Sequence, residues 1–572
     1  MKTKLFVIFL LFGFSQMQAQ EYLERMKMEL IPEIEKLIQK SKVKGLSIAL
    51  VDNQEIVWAQ GFGFSNEEKG IPATEQTVYR IASVSKLFVA TAIMQLHEQG
   101  KLHLDSSLVN YIPEFTIHSD YGNTNKITLR NLLTHHSGLP SDILNGMFTI
   151  DVKEPESILE LLRVMHVPYP PDYIFAYSNI GFSLLGIVIE RVAGISLEEY
   201  MQKNIYAPLQ MTHSSFEMPP HIKSFYSEAY LNKVAFSEPP IREKAAGLMV
   251  SNVLDLAQFV KFMLAFEADV ENKLITPESY SEMVKKQNLD IDFDLDFSIG
   301  LAWWLNKPRQ LDYAGDVISH GGDTEAFHSM LSILKDKKLG VIVLTNTDRG
   351  AAIRSDLAYK ILASALKHKE GLEKNTENQK KASRLKNISS FKVFAGDYAS
   401  PVGILSLQSK SKYLKTKIQG IPINLYPMSD SSFLAKINLL LVKIPLQEEK
   451  FVFRVFGSDS VLAMNNEILG LKVQDVEFDT LWNPYLGKYK NNQIGNNRFY
   501  PEDVEIYRQD NYLILKMTVS GQKLRLLLET FSPGHARIKG LGRNMQEHIF
   551  LKENNGQVFL EYSGYSLEKI LE

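Results

Sequence analysis

Residues 367–387, KHKEGLEKNTENQKKASRLKN, are charged and polar with almost no apolar periodicity. A stretch this polar cannot bury enough surface to join a core, so it reads as a linker or an exposed helix. It divides a chain of 572 residues, too long for one ordinary core, into parts that must each find their own. The expected boundaries are a segment over 21–370, a linker over 371–389, and a second part from 390 onward.

The first part carries a hairpin pattern near each end. LSIALV and EIVWAQGFG flank Asp52, Asn53 and Gln54, and HSMLSILKDKKLGVIVLTN turns at Lys335 to Lys338. YLERMKMELIPEIEKLIQKSKVKG (Tyr22 to Gly45) precedes the first as an amphipathic helix, and AAIRSDLAYKILASALK (Ala351 to Lys367) closes the segment. Helices and loops fill the interval. A sheet built from both ends of a segment, with helices around it, is an antiparallel α+β plan.

The second part is all-β, with short apolar strands and turns, and it repeats. FAGDYAS (Phe394 to Ser400) resembles YLGKYKN (Tyr485 to Asn491), aligning Gly396 with Gly487 and Tyr398 with Tyr489. Two small up-and-down β-barrels, over 390–480 and 481–572, fit this pattern. The two tyrosines read as barrel core.

At the start, Lys2 and Lys4 precede a short apolar run, LFVIFLLFGF, and QMQAQ offers a cleavage point near Ala19 or Gln20. This is the layout of a secretory signal over 1–20. It implies an exported protein, periplasmic or secreted, with no integral membrane segment once the signal is removed. The absence of cysteine excludes disulfides, catalytic thiols and Cys-ligated metals. A formal net charge of -3 offers nothing to attract nucleic acid. No His, Asp or Glu cluster has metal-ligand spacing along the chain, so neither metal nor cofactor is expected.

RIASVSKLFVATAIMQLHEQG (Arg80 to Gly100) opens with polar residues and continues as a helix apolar nearly all round. Such a helix is buried. Ser83 and Lys86 are spaced i, i+3, so on a helix they share a face. A lysine at the head of a buried helix loses hydration and its pKa falls, which puts a base beside a nucleophile. The tetrapeptide S-x-x-K is weak by itself, for it also occurs at Ser41 to Lys44 and Ser332 to Lys335. Further on, Tyr177-Ser178-Asn179 stands before another apolar helix, where a tyrosine can shuttle protons if cations depress its pKa. His320-Gly321-Gly322 stands on a strand of the expected sheet, where glycine permits close backbone approach.

Taken in order, S-x-x-K, Y-x-N and H-x-G resemble the penicillin-recognising serine hydrolases: class C β-lactamases, DD-peptidases, esterases and D-aminopeptidases. ITLRNLLTHHSGLP (Ile127 to Pro140) and AAGLMVSNVLDLAQFVKFML (Ala245 to Leu264) are similar to further segments of that family. The resemblance covers about 28 to 367 and implies a β-lactamase/transpeptidase-like domain. It assigns Ser83 as nucleophile, with Lys86 and Tyr177 sharing the acid and base work. Asn179, His320 and Gly322 would face substrate, and the N–H groups of Ser83 and Asp323 would form the oxyanion hole. Which of Lys86 and Tyr177 takes the first proton stays open.

The pattern departs from many β-lactamases, which carry K-T-G where this chain has His320-Gly321-Gly322. A histidine is mostly neutral near pH 7, which disfavours holding a β-lactam carboxylate. Asp323 and Glu325 near the pocket mouth either attract a cationic group or face solvent. His135 and His136 read as loop-shaping, His328 stands near the pocket, and Trp303 and Trp304 flank it, one of them as core. The expected substrates are small molecules or short peptides: D-amino-acid peptides or amides, or small esters. The alternatives are a true β-lactamase or DD-carboxypeptidase, and an envelope binding protein with an inactive hydrolase domain.

Overall fold

The computed structural model of the chain describes residues 2–149, 156–266, 274–374 and 390–571, apart from residues 419, 440–441, 465–466, 475–477, 494 and 496. Helix α1 (Lys2–Ser41) runs without a break past the expected cleavage point and leads into the first hairpin, β1 (Gly45–Asp52) and β2 (Glu55–Asn66). Asn53 makes the turn at φ 57°, a left-handed conformation that asparagine tolerates better than most residues. A short β3 (Ile71–Pro72) extends this edge. Late in the segment come β4 (Trp304–Asn306), β5 (Val317–Asp323), β6 (His328–Leu334) and β7 (Leu339–Thr345).

These strands form one seven-stranded sheet in the order β3-β2-β1-β7-β6-β5-β4. Every pairing is antiparallel. The two ends of the segment meet where Ile48 of β1 stands opposite Val343 of β7. Both faces of the central strands are covered, which is why LGVIVLT reads as a continuous apolar run rather than an alternation. Leu46, Ile48, Val341 and Val343 pack with Met26, Leu30 and Ile34 of α1 and with the closing helix. Ala49, Val51, Ile342 and Leu344 belong to the larger core on the other side.

That larger core holds α2 (Ser85–Glu98), α3 (Asn179–Ala193) and α4 (Val253–Ala265). Phe88 of α2 lies 4.3 Å, ring to ring, from Phe259 of α4. Its burial contributes about 1.5–3 kcal/mol. The closing helix α5 (Arg354–Glu370) begins three residues later than expected, because Asp348–Ala352 first forms a 3-10 turn. Of the expected linker, Gly371 ends α5 at φ 66° and Lys374 Nζ donates to the Arg309 carbonyl at 2.6 Å. Residues 375–389 lie outside the described residues. Among the described residues, no single helix is long and apolar enough to cross a membrane.

Beyond 390, eight strands from Gly396–Ser400 to Glu467–Lys472 close one barrel, and eight from Gly487–Asn491 to Tyr565–Lys569 close another. The sequence repeat is a structural one. Gly396 and Gly487 take φ 132° and 135°, and a Cβ on either would lie 3.2 Å from a lysine Cε, of Lys472 or Lys569. Tyr398 is buried and donates to the Phe394 carbonyl at 3.0 Å; Tyr489 is buried and donates to that of Tyr485 at 2.6 Å. The barrels share an apolar contact made by Ala399, Val473, Ile514 and Leu527. The second barrel is also tied to the first segment: Asn145 donates to the carbonyls of Ser563 and Gly564, at 3.2 and 2.7 Å. This docking lays Gly542, Arg543 and Asn544 against Tyr169, Asp142 and Ser141 of the first segment.

Candidate active site

Ser83 is not on the helix itself. It is the middle residue of a 3-10 turn, Ala82–Val84, and α2 starts at Ser85. Ala82 adopts φ 48°, a left-handed conformation that costs an alanine on the order of 1–2 kcal/mol. The turn is braced on both sides. Ser85 Oγ donates to the Ala82 carbonyl at 2.5 Å, and Ser329 Oγ donates to that of Ile81 at 2.7 Å. Ser85 is therefore structural, and Ser83 is left as the half-buried hydroxyl at the bend.

Lys86 is fully buried, with its Nζ 3.1 Å from Ser83 Oγ, 2.8 Å from Asn179 Oδ1 and 2.7 Å from the Ala246 carbonyl. Burial holds its pKa far below the usual lysine range, and the nearby Arg543 charge pushes the same way. A neutral amine has two N–H bonds and one lone pair. Asn179 Oδ1 and the Ala246 carbonyl can only accept, so they take both N–H bonds. The lone pair is left facing Ser83. Asn179 is held in this orientation because its Nδ2 donates to Asp142 Oδ1 at 2.6 Å, and Asp142 Oδ2 accepts from Arg543 Nη2 at 2.8 Å.

Tyr177 lines the same cavity as Ser83, whose hydroxyl tends to lower its pKa. Its ring stacks on His135 at 4.2 Å, with Lys86 Nζ and the Arg543 guanidinium each 4.9 Å from its centre. His135 in turn accepts from the Ser178 N–H at 3.0 Å, so it shapes this loop as expected. Sequence reasoning has cations pulling the phenol toward neutrality. The balance runs the other way: burial raises the Tyr177 pKa, and neither Arg543 nor Ser83 overcomes it. The phenol stays protonated.

His320 is buried on β5, and desolvation lowers its pKa to about 3. Its Nδ1 lies 2.6 Å from the Gly321 carbonyl and so carries the proton. Nε2 remains an acceptor with no protein partner, on the wall of the pocket. Gly322 is where β5 passes the nucleophile. A Cβ there would lie 2.2 Å from the Ile81 carbonyl oxygen and 2.9 Å from the Ser83 nitrogen. Gly322→Ala should therefore push the strand and the turn apart, costing about 1–3 kcal/mol of stability. If the Ser83 N–H is an oxyanion donor, its displacement should lower kcat on the order of a hundredfold. Urea denaturation and ester turnover check the two effects; wild-type kcat would remove the Ser83 N–H from the site.

Asp323 follows on the same strand, with its carboxylate held by His328 Nδ1 and Arg354 Nη2, each at 2.7 Å. Glu325 pairs with Arg498 of the second barrel at 2.8 Å. Each of these two carboxylates is thus paired with an arginine.

Residues 30–366 match the family model described as Beta-lactamase. The chain belongs to the beta-lactamase family. Protein flp of Staphylococcus aureus is 26% identical over 325 residues, 55% of this chain and 61% of that protein. Beta-lactamase-like protein 2 of Dictyostelium discoideum is 24% identical over 322 residues, 54% and 58% of the two chains. The matched region thus spans about three fifths of these relatives' length. Two solved structures share the fold over 79% of this chain and 100% of theirs. One is the octameric penicillin-binding protein homologue from Pyrococcus abyssi, at TM-score 0.53 and 24% identity. The other is SurE with D-Leu, at TM-score 0.56 and 18% identity.

The match to the beta-lactamase family ends at residue 366, yet part of the site comes from beyond it. A cavity of about 490 Å³ opens over Ser83. Its walls are Phe175, Phe293, Phe297 and Trp304 on one side, and Pro401, Glu467, Ile468 and Leu541 to Asn544 of the two barrels on the other. Trp304 borders this cavity, while Trp303 is core and stacks on Phe259. Sequence reasoning missed Asp142 and Arg543. Asp142 follows a segment similar to the family's, LLTHHSGLP, but no local pattern marks Arg543.

Proposed function

We propose that the protein is an exported serine hydrolase that opens small amide or ester substrates through an acyl-enzyme on Ser83. The lone pair of a neutral, buried Lys86 facing the Ser83 hydroxyl carries this reading. In the first step Ser83 Oγ bonds to the substrate carbonyl carbon while its proton passes to Lys86 Nζ. The carbonyl electron pair moves onto oxygen, toward the N–H groups of Ser83 and Asp323. Collapse breaks the bond to the leaving group, which takes a proton from the Tyr177 hydroxyl. The Lys86 ammonium then passes the proton it took from Ser83 to Tyr177. Water then attacks the acyl ester, giving its proton to Lys86, and Ser83 leaves reprotonated.

D-amino-acid amides or peptides and small esters suit the cavity, whose aromatic wall takes an apolar side chain. One structure of the same fold was solved with D-Leu. β-Lactam or DD-peptide turnover is the alternative that one residue favours: Arg543 brings a cation to the pocket where His320 is neutral. The test is p-nitrophenyl acetate hydrolysis with the mass of the protein followed at early times. Turnover with one acetyl group on the peptide holding Ser83 is expected; no turnover and no adduct would overturn the proposal. Penicillin in the same assay separates the two substrate classes by a penicilloyl adduct.

Tyr177→Phe should reduce kcat roughly a hundredfold, by removing the proton relay while leaving the base in place. An unchanged kcat would give the leaving-group proton to Lys86 directly. Export rests on the n-region and apolar run ahead of Ala19. The mature protein recovered from the cell envelope or medium should begin near Gln20, and a retained Met1 would refute cleavage.

A further inference from the structure

Away from the cavity, the seam between the first segment and the second barrel gathers histidines that are far apart in sequence. His166 and Asp120 come from the first segment, and His548 opens a barrel strand, His548–Asn554. His166 Nδ1 lies 3.7 Å from Asp120 Oδ1, and His548 Nε2 lies 3.7 Å from Asp120 Oδ2. One ligand atom from each of the three residues falls within 4.8 Å of the others. Both ring nitrogens are buried and have no hydrogen-bond partner among the described residues, and the His548 side chain is only 2% exposed.

Buried imidazole nitrogens without a hydrogen-bond partner among the described residues are costly unless they are paired or coordinated. Tetrahedral zinc with bonds of about 2.0–2.1 Å sets its ligand atoms roughly 3.3 Å apart, which a small inward movement of these groups reaches. The far side of His548 is already oriented. Its Nδ1 is 2.8 Å from His535 Nε2, and when Nδ1–H donates there, Nε2 is the nitrogen left as an acceptor, 3.7 Å from Asp120 Oδ2.

We propose that Asp120, His166 and His548 form a zinc-class divalent metal site that clamps the second barrel to the first segment, with water as the fourth ligand. Nitrogen donors select zinc over magnesium or calcium. The site closes the end of the stretch that carries Arg543 into the cavity, five positions before His548.

The experiment is zinc titration of the untagged, chelator-treated full-length protein by calorimetry, with the melting temperature measured in parallel. Asp120→Asn and His166→Gln are the test variants. Asp120 is half exposed and outside the cavity, so its variant should fold even if the histidine variant does not. One zinc per chain is expected, raising the melting temperature, with affinity about a hundredfold weaker or lost in each folded variant. The proposal is overturned if the parent protein takes up no zinc. It is equally overturned if Asp120→Asn binds zinc as well as the parent, or if magnesium binds as well as zinc.

Discussion

Ser83→Ala should lose ester hydrolysis by a factor on the order of 10³–10⁶ while folding normally. The size follows from the lack of a substitute nucleophile. The chain has no cysteine. Ser85, two residues on, has its hydroxyl tied to the Ala82 carbonyl. Tyr177 reaches the same spot but is held protonated by burial, and a neutral phenol is a poor nucleophile. The variant removes a single oxygen from a half-buried position, so the Ala82 bend and its braces remain. Stability should change by less than about 1 kcal/mol. Parallel measurement of p-nitrophenyl acetate turnover and urea denaturation checks both halves. A variant that keeps a tenth of the parental rate and still becomes acetylated would place the nucleophile elsewhere. A variant that loses both activity and stability would make Ser83 a structural residue.

Much of this site was legible because its parts are local. S-x-x-K recurs along the chain, and burial separates the copies. Ser41 ends α1 and Ser332 lies within strand β6, whereas Ser83 precedes a helix whose residues are buried from Ser85 to Leu96. The hairpins, the closing helix and the barrel repeat were equally local, each announced by its own apolar period and turn. What escaped was long-range. Asp142 and Arg543 meet across 401 positions, and their bond exists only because the second barrel docks beside the site. The histidine seam has the same origin, with Asp120 and His548 brought together by that docking. Two electrostatic expectations also moved for reasons no sequence displays. Asp323 and Glu325 found arginines from α5 and the second barrel, and Tyr177 is buried deeply enough that desolvation outweighs the neighbouring Arg543 charge.

The barrel therefore does more than cover the cavity. Arg543 holds Asp142, Asp142 holds the Asn179 amide, and that amide presents its oxygen to Lys86. Were Asn179 to flip, its N–H₂ would face the lysine and the lone pair could no longer be reserved for Ser83. The base proposed at Lys86 is thus oriented by a residue outside the matched family region.

Lys86→Met makes the sharpest separation between a base and a merely structural lysine, because it reads two independent quantities. Activity should fall roughly 10³–10⁴-fold, since Ser83 then has no acceptor for its proton and Tyr177 is already protonated. The second quantity is the slope of stability with pH. The folded-state pKa of Lys86 lies below its unfolded value, so between the two the unfolded chain binds one proton that the folded chain does not. Wild-type stability must then rise with pH across that window, by about 1.4 kcal/mol per pH unit from this group. In Lys86→Met that contribution disappears. Urea denaturation of both proteins at about pH 8 and about pH 9.5 isolates it, because the other titrating groups are common to both. The wild-type curve should rise more steeply, and the difference in slope should approach one proton. Parallel curves with lost activity would mean that Lys86 is charged in the folded protein, and the lone pair assigned to Ser83 would not exist.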